Sequence, residues 1–186
     1  MSAYLLLEDG TRFDGDASGA PLAATGEVVF NTAMSGYQES VTDPSYRGQV
    51  IVFTYPLIGN YGVAAENMES DAIHARAVVM REGVDREDAA HAEGGWLTWL
   101  ADCGVPALCG VDTRALVRHI RDRGAMRGGV FPGDLAEAEA MGRVRAGPAM
   151  AGADVARVVT PGPPVLLVPL TGGDQAPGTY PQIYTN

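Results

Sequence analysis

The amino-acid sequence predicts a mixed α/β domain, and three observations support this fold class. Short runs of β-branched and aromatic residues bounded by turn residues are typical of strands, as in 27–32 and 49–55. Apolar residues that recur at helical spacing indicate helices in 93–103 and 113–123. The chain has 186 residues, of which 46% are hydrophobic and 19% charged. A chain of that length can bury a core without disulfides or a structural metal.

A β-hairpin is predicted at the start, over residues 4–15. An apolar run is followed there by an Asp-Gly turn and by a return strand that begins at Arg12. The strands at 27–32 and 49–55 come next. The segment 35–48 between them is rich in Gly, Ser, Asp and Pro, which predicts a long ordered loop with one helical turn.

The second half of the sequence alternates between the two kinds of element. Asp112 is placed to cap the helix at 113–123, and Gly124 to end it. Trp96, Trp99, Leu100 and Cys103 lie on one face of an earlier helix at 93–103. A capping-box-like pair, Asp134 and Glu137, opens the last helix. The predicted elements are strands in 73–80, 105–111 and 126–131, and helices in 93–103, 113–123 and 135–145.

The composition changes towards the C-terminus. Six of the 12 prolines lie between Pro161 and Pro181, and Asp174 is the only charged residue from Val158 onward. Proline density without hydrophobic periodicity is typical of linkers and disordered segments. We therefore predict a folded domain over 1–160 and a Pro/Gly-rich, linker-like or disordered tail over 161–186.

The charge balance argues against some partners. All 13 basic residues are Arg, 23 residues are acidic, and the net charge is −10. An acidic chain repels phosphate backbones, so nucleic acid is not an expected partner. The apolar runs are too short to span a membrane, and the N-terminus lacks the basic region of a signal peptide. With only two cysteines, the sequence predicts a cytoplasmic protein without a disulfide framework.

Motifs for the common catalytic sites are missing. The sequence has neither a G-x-G-x-x-G run after a strand nor a phosphate-binding loop with Lys. The three histidines lack ligand spacing, so no metal site is predicted. Cys103 and Cys109 fall in apolar contexts, and we expect both to be buried as small hydrophobic residues.

A polar and aromatic loop over residues 35–62 is a candidate binding surface. Such a composition on a loop held by two strands suits either ligand binding or an ordered loop whose hydrogen bonds are internal, and the sequence does not decide between them. Within the loop, Pro44 biases Asp43 towards extended backbone. Ser45 is then expected to present its hydroxyl and backbone amide to a polar ligand.

An arginine stripe on the helix at 113–123 is a second candidate surface. Arg114, Arg118 and Arg121 share one face at spacings i, i+4 and i+7. They suit an anion or an acidic partner, or else a solvated face paired with Asp112 and Asp122. Arg118 and Arg121 are the candidate partner-docking residues.

Several long motifs resemble one known family. These are LEDGTRFDG, GEVVFNTAMSGYQE, SGYQESVTDPSYRGQ, TYPLIGNYG and GVDTRALVRHIRDRGAMRGGV. Together they resemble the N-terminal domain of the small chain of glutamine-hydrolysing carbamoyl-phosphate synthase, from about Tyr4 to Thr160.

The resemblance implies a three-layer β/β/α domain of the swivelling type that docks on the large synthetase chain. In that family a second, class I amidotransferase domain hydrolyses glutamine, and ammonia passes to the large chain. The large chain, a ligase, uses ATP with Mg²⁺ and bicarbonate to make carbamoyl phosphate for pyrimidines and arginine. The serine of the family's T-D-P-S-Y motif contacts glutamine, which implies that role for Ser45.

One part of the family pattern is missing from the sequence. Neither Cys103 nor Cys109 stands in the G-x-C-x-G motif of the amidotransferase nucleophile, and no His-x-Glu follows them. We therefore expect a small subunit without the amidotransferase domain, with no catalytic residue and no cofactor of its own. The alternative is a stand-alone non-catalytic binding module or an inactive gene fragment.

Overall fold

A computed structural model describes residues 1–21 and 23–147 of the chain. These residues form nine strands and four α-helices. The strands are β1 Ser2–Leu7, β2 Arg12–Gly19, β3 Ala24–Asn31, β4 Gln49–Phe53, β5 Leu57–Ile58, β6 Ala77–Val79, β7 Glu82–Gly83, β8 Pro106–Cys109 and β9 Met126–Pro132. The helices are α1 Tyr37–Thr42, α2 Trp96–Asp102, α3 Thr113–Arg123 and α4 Glu137–Ala146.

Seven of the strands close into a barrel in the order β1-β2-β8-β6-β4-β3-β9. The β1–β2 pair is the predicted antiparallel hairpin, whose turn contains Gly10 at φ 91°. β3, β4, β6 and β8 are parallel neighbours. Parallel strands need long crossovers, and α1 and α2 lie in two of these connections.

Side chains fill the barrel because strand residues alternate between two faces. On β1, Leu5 and Leu7 belong to the interior cluster, whereas Tyr4 and Leu6 pack on the outside with residues of α4. Both faces of β1 are buried, which explains why the run Tyr4 to Leu7 is apolar throughout. The interior cluster also takes residues from β3, β4, β6, β8 and β9, namely Val28, Val50, Val52, Ala77, Val79, Leu108, Met126 and Val130.

A second cluster covers the outer face of β4, β6 and β8. Trp96 on α2 is fully buried there, with its ring centroid 4.8 Å from that of Tyr37 and 6.3 Å from that of Phe53. Residues of α1 and α2 provide much of this cover. The helices that connect the parallel strands are therefore held against the barrel by large aromatic contacts.

Helix α3 begins and ends as the sequence predicts. The Asp112 side chain accepts a hydrogen bond of 2.9 Å from Ala115 N, and Gly124 ends the helix at φ 93°. Leu116 and Ile120 join the interior cluster of the barrel. The opposite face of α3, which carries the arginine stripe, is left at the surface.

The mixed α/β class is confirmed, with strands dominating. Two local predictions are wrong. The first is the burial of Cys103, which is exposed because α2 ends at Asp102 and Cys103 follows it as the C-cap. The N-cap of α4 is Ala136 without a side-chain bond, so the predicted capping pair does not form. The predicted tail 161–186 and the domain end at 160 lie outside the described residues.

Membrane-spanning helices and metal-binding clusters are both absent from the part of the chain that the structure describes. No helix within 1–21 and 23–147 is long and apolar enough to cross a membrane. Over the same residues, no three His, Cys, Asp or Glu side chains lie together in a way that could hold a metal ion.

Candidate functional site

The predicted polar loop contains two short helical segments between β3 and β4. Helix α1 is followed by a 3-10 turn over Pro44–Tyr46. Gly36 precedes α1 in the left-handed region, at φ 82°, where a residue with a side chain would be strained. The loop contains helical structure as predicted, but in two segments where the sequence predicted one helical turn.

Ser45 lies in the 3-10 turn and is exposed. Asp43 has extended backbone, with φ −70° and ψ 122°, as the following proline predicts. Its Oδ1 atom accepts a hydrogen bond of 2.8 Å from Ser45 N. The expectation that the Ser45 amide is available to a ligand is therefore wrong, since the Asp43 carboxylate already uses it. The hydroxyl remains at the surface.

Asn31, at the end of β3, connects the two halves of the loop. Its Nδ2 atom donates to Ser40 Oγ on α1 at 2.9 Å and to Tyr46 OH at 3.2 Å. Its Oδ1 atom accepts from Ala33 N at 2.7 Å. One amide thus fixes the position of α1 relative to the turn that carries Ser45. Sequence reasoning missed this residue because its partners are 9 and 15 positions away.

Buried polar contacts join α1 to residues 62–70. Thr42 Oγ1 donates to Gln38 O at 2.9 Å and accepts from Glu69 N at 2.9 Å. Tyr37 OH donates to Gly62 O at 2.6 Å. Thr42 is fully buried and Tyr37 nearly so, which makes these bonds costly to break.

Tyr37 and Tyr61 form a stacked pair, with ring centroids 4.2 Å apart. Gly36 N donates to Tyr61 OH at 2.7 Å, which holds the entrance of α1. Burial raises the pKa of both phenols above the ordinary value, so both stay protonated at neutral pH. These internal bonds fit the ordered-loop interpretation, while Ser45 and Met34, which is 77% exposed, remain available to a partner.

The arginine stripe lines a groove of about 710 Å³. Arg114, Arg118 and Arg121 are exposed along α3. Within the described residues, no carboxylate lies within ion-pair distance of these three guanidinium groups, so the predicted pairing with Asp112 and Asp122 does not form. The fold adds Arg81, which the sequence did not connect with the stripe.

Neither cysteine has the surroundings of an activated nucleophile. Cys103 is exposed, but partial desolvation of its sulfur, followed by the negative charge of Asp102, raises the pKa of its thiol. Burial also raises the pKa of Cys109, which is half-buried. A raised pKa lowers the fraction of reactive thiolate at neutral pH.

The fold and these surfaces define a class: a mixed α/β domain built on a closed barrel, with an internally bonded polar loop and an arginine groove. Comparison with known proteins then gives the family. A family model described as carbamoyl-phosphate synthase small chain, CPSase domain, matches residues 5–130. The chain belongs to this family, which confirms the resemblance found in the sequence.

Individual relatives agree with the family match. The chain is 57% identical over 122 residues to a carbamoyl phosphate synthase small chain from Symbiobacterium thermophilum, covering 66% of this chain and 34% of the relative. It is 46% identical over 164 residues to that of Polynucleobacter asymbioticus, and 46% identical over 158 residues to that of Thermosynechococcus vestitus. These two alignments each cover 85% of this chain. The chain spans about two fifths or less of the length of these relatives, 41% in the latter two.

Proposed function

We propose that this chain is the synthetase-docking domain of a carbamoyl-phosphate synthase small subunit. In this role it binds the large synthetase chain and supports the formation of carbamoyl phosphate from glutamine, bicarbonate and ATP. The product supplies pyrimidine and arginine biosynthesis. ATP and Mg²⁺ bind to the large chain, and this chain needs no cofactor of its own. We place the assembly, a heterodimer, in the cytoplasm.

The family match over residues 5–130 carries this proposal. The matched range contains the whole polar loop and all of α3. It also contains five of the seven barrel strands complete. The other two are cut by its ends: β1 begins before residue 5, and β9 runs on to Pro132. The three-layer β/β/α arrangement of the family is part of the proposal, and helices packed outside the barrel on two separate clusters fit it.

We further propose that this chain alone does not hydrolyse glutamine. Nucleophilic attack on an amide needs an activated thiolate beside a base. Desolvation, partial at Cys103 and greater at Cys109, raises the pKa of both cysteine thiols, and neither cysteine stands in the family's nucleophile motif. The glutaminase step therefore requires a class I amidotransferase domain, to which Ser45 contributes a contact with glutamine across the domain boundary.

The experiment that tests this function combines the full chain with a family large chain and a family amidotransferase domain. Gel filtration should show a complex of the chain with the large chain. Glutamine-dependent carbamoyl phosphate synthesis should require all three components, whereas synthesis from ammonia should require only the large chain. A chain that neither joins the complex nor increases glutamine-dependent synthesis would be a separate binding module, and the proposal would be wrong.

A further inference from the structure

The arginine groove lies where the carboxyl ends of three parallel strands meet. Thr54 follows β4, Arg81 follows β6, and Thr113 follows β8. The carboxyl ends of adjacent parallel strands share one edge of the sheet, which is where α/β folds commonly bind ligands. The order of the strands thus brings residues that are far apart in the sequence together along the wall of one groove.

The backbone of Arg81 is held close to the start of α3. Gly110 N donates to Arg81 O at 2.8 Å, which ties its backbone to the turn before α3. A second groove of about 420 Å³ shares Arg81 and continues past Gly110 to Asp112. The smaller groove is lined by two carboxylates, Glu82 and Asp112, so the excess of positive charge is confined to the larger one.

Charge in the larger groove is uneven. Arg81, Arg114, Arg118 and Arg121 line the larger groove, with Asp122 as the one carboxylate among its described lining residues. No ion pair joins any of these four arginines to an acid within the described part of the chain. By contrast, Arg12, Arg86, Arg127 and Arg143 are each paired with a carboxylate. In a chain with net charge −10, an excess of unpaired arginines in one groove favours an acidic occupant.

We propose that this groove binds an extended, carboxylate-rich segment of the partner chain. On α3, Arg114 and Arg118 lie about 6 Å apart along the helix axis. Alternate residues of an extended peptide, which point to the same side, are about 6.6 Å apart. Two carboxylates at alternate positions of such a segment can therefore meet the guanidinium groups of Arg114 and Arg118. Arg121, about 4.5 Å further along the helix axis, adds positive charge beyond them. Pro56 and Val117 supply an apolar wall against which the aliphatic part of the segment's acidic side chains can pack.

The segment belongs to a protein rather than to a nucleic acid. A polyphosphate backbone would be repelled by the acidic remainder of the chain, while a short acidic peptide carries few charges and suits the planar forks of arginine. That this protein is the large synthetase chain rests on the proposed function. The proposal that the groove binds an acidic segment does not depend on the proposed function.

The test uses the full chain and a dye-labelled heptapeptide in which Glu alternates with Ser. The control peptide has Gln at each Glu position. Fluorescence anisotropy should show that the Glu peptide binds and that rising salt weakens the binding. Arg118→Gln combined with Arg121→Gln should weaken it about ten- to a hundred-fold. Arg143→Gln combined with Arg145→Gln, an equal change of charge on α4, should leave it unchanged.

Equal binding of both peptides, or equal binding to the groove variant and wild type, would overturn the proposal. So would inorganic phosphate that binds the groove more tightly than the peptide does. The same variants are then tested against the large chain. If wild type joins the large chain and the groove variant joins it equally well, the docking role is wrong while the proposed function stands. If the peptide binds the groove but wild type does not join the large chain, the proposed function is wrong while the acidic-segment site stands.

Discussion

Gln38 pairs with the backbone of Ala64 through both ends of its side-chain amide. Gln38 Nε2 donates to Ala64 O at 2.9 Å, and Ala64 N donates to Gln38 Oε1 at 2.9 Å. Gln38 is 2% exposed, so water does not substitute for either bond. The pair acts like a short stretch of β-ladder made by a side chain, and it attaches α1 to the segment after Tyr61.

The first prediction concerns this pair. Gln38→Ala should lower the free energy of unfolding by about 2–6 kcal/mol, because a buried donor and a buried acceptor each lose their partner at about 1–3 kcal/mol apiece. Urea denaturation followed by circular dichroism measures the change. Glu66→Ala, an exposed neighbour of Ala64, is the control and should change stability little.

A second variant separates hydrogen bonding from packing. Gln38→Glu keeps an acceptor for Ala64 N but places an oxygen against Ala64 O. At neutral pH, Gln38→Glu should lower the free energy of unfolding at least as much as loss of the donor alone would. At acid pH the loss should be smaller, because the protonated carboxyl can donate a hydrogen bond to Ala64 O. A Gln38→Glu protein as stable as wild type at neutral pH would contradict the assigned bonds.

The sequence predicts those features of this domain that depend on residues close together along the chain. The cap of α3 by Asp112 involves residues three positions apart, and the β1–β2 hairpin depends on one turn. The contact between Gln38 and Ala64 spans 26 positions and leaves no local pattern. Likewise, the stripe on α3 followed from helical spacing, whereas Arg81 joined it only through the closed order of the strands.

Asp85 caps α2 from outside the helix, which gives the next prediction. Its Oδ1 atom accepts from Leu97 N at 2.6 Å, and its Oδ2 atom accepts from Thr98 Oγ1 at 2.8 Å. Asp85→Ala should lower stability by about 1 kcal/mol, as the loss of a helix cap does. Thermal or urea denaturation measures this change, with Glu87→Ala at an exposed position on the same loop as the control.

The same contact predicts that Gly95 and Asp85 are coupled. A Cβ atom on Gly95 would lie 2.5 Å from Asp85 Cγ, so Gly95→Ala should displace the capping carboxylate. Because both substitutions disrupt one contact, the double variant should lose clearly less stability than the sum of the single losses. Strict additivity in the double-mutant cycle would show that the two residues do not interact.

Asp9 and His119 give a prediction about pH. His119 Nε2 lies 2.7 Å from Asp9 Oδ2, which links the β1–β2 turn to α3. Burial raises the pKa of Asp9, but hydrogen bonds from Thr11 and His119 outweigh it and hold the pKa below its ordinary value. The lowered pKa means that the ionised form stabilises the fold above about pH 4, the unfolded value, and that this contribution is lost as pH falls through the folded value.

Asp9→Asn should therefore destabilise the domain by about 1–2 kcal/mol near pH 7, and the difference from wild type should shrink as the pH is lowered below about 4. Urea midpoints measured between pH 3 and 7 test this expectation. Asp71→Asn, at an exposed position, is the control. A wild-type-to-variant difference that stays constant across this range would exclude Asp9 as the titrating group.

Ser45 gives the last prediction, which applies when an amidotransferase domain of the family is present. The Ser45 amide is held by Asp43 Oδ1, so only the exposed hydroxyl is available to glutamine. One such hydrogen bond contributes about 0.5–1.5 kcal/mol, or about 3 kcal/mol to a charged group. Ser45→Ala should then raise the KM for glutamine about three- to a hundred-fold and leave synthesis from ammonia unchanged. Ser35→Ala, exposed in the same loop, is the control, and an unchanged KM in Ser45→Ala would make Ser45 a turn residue only.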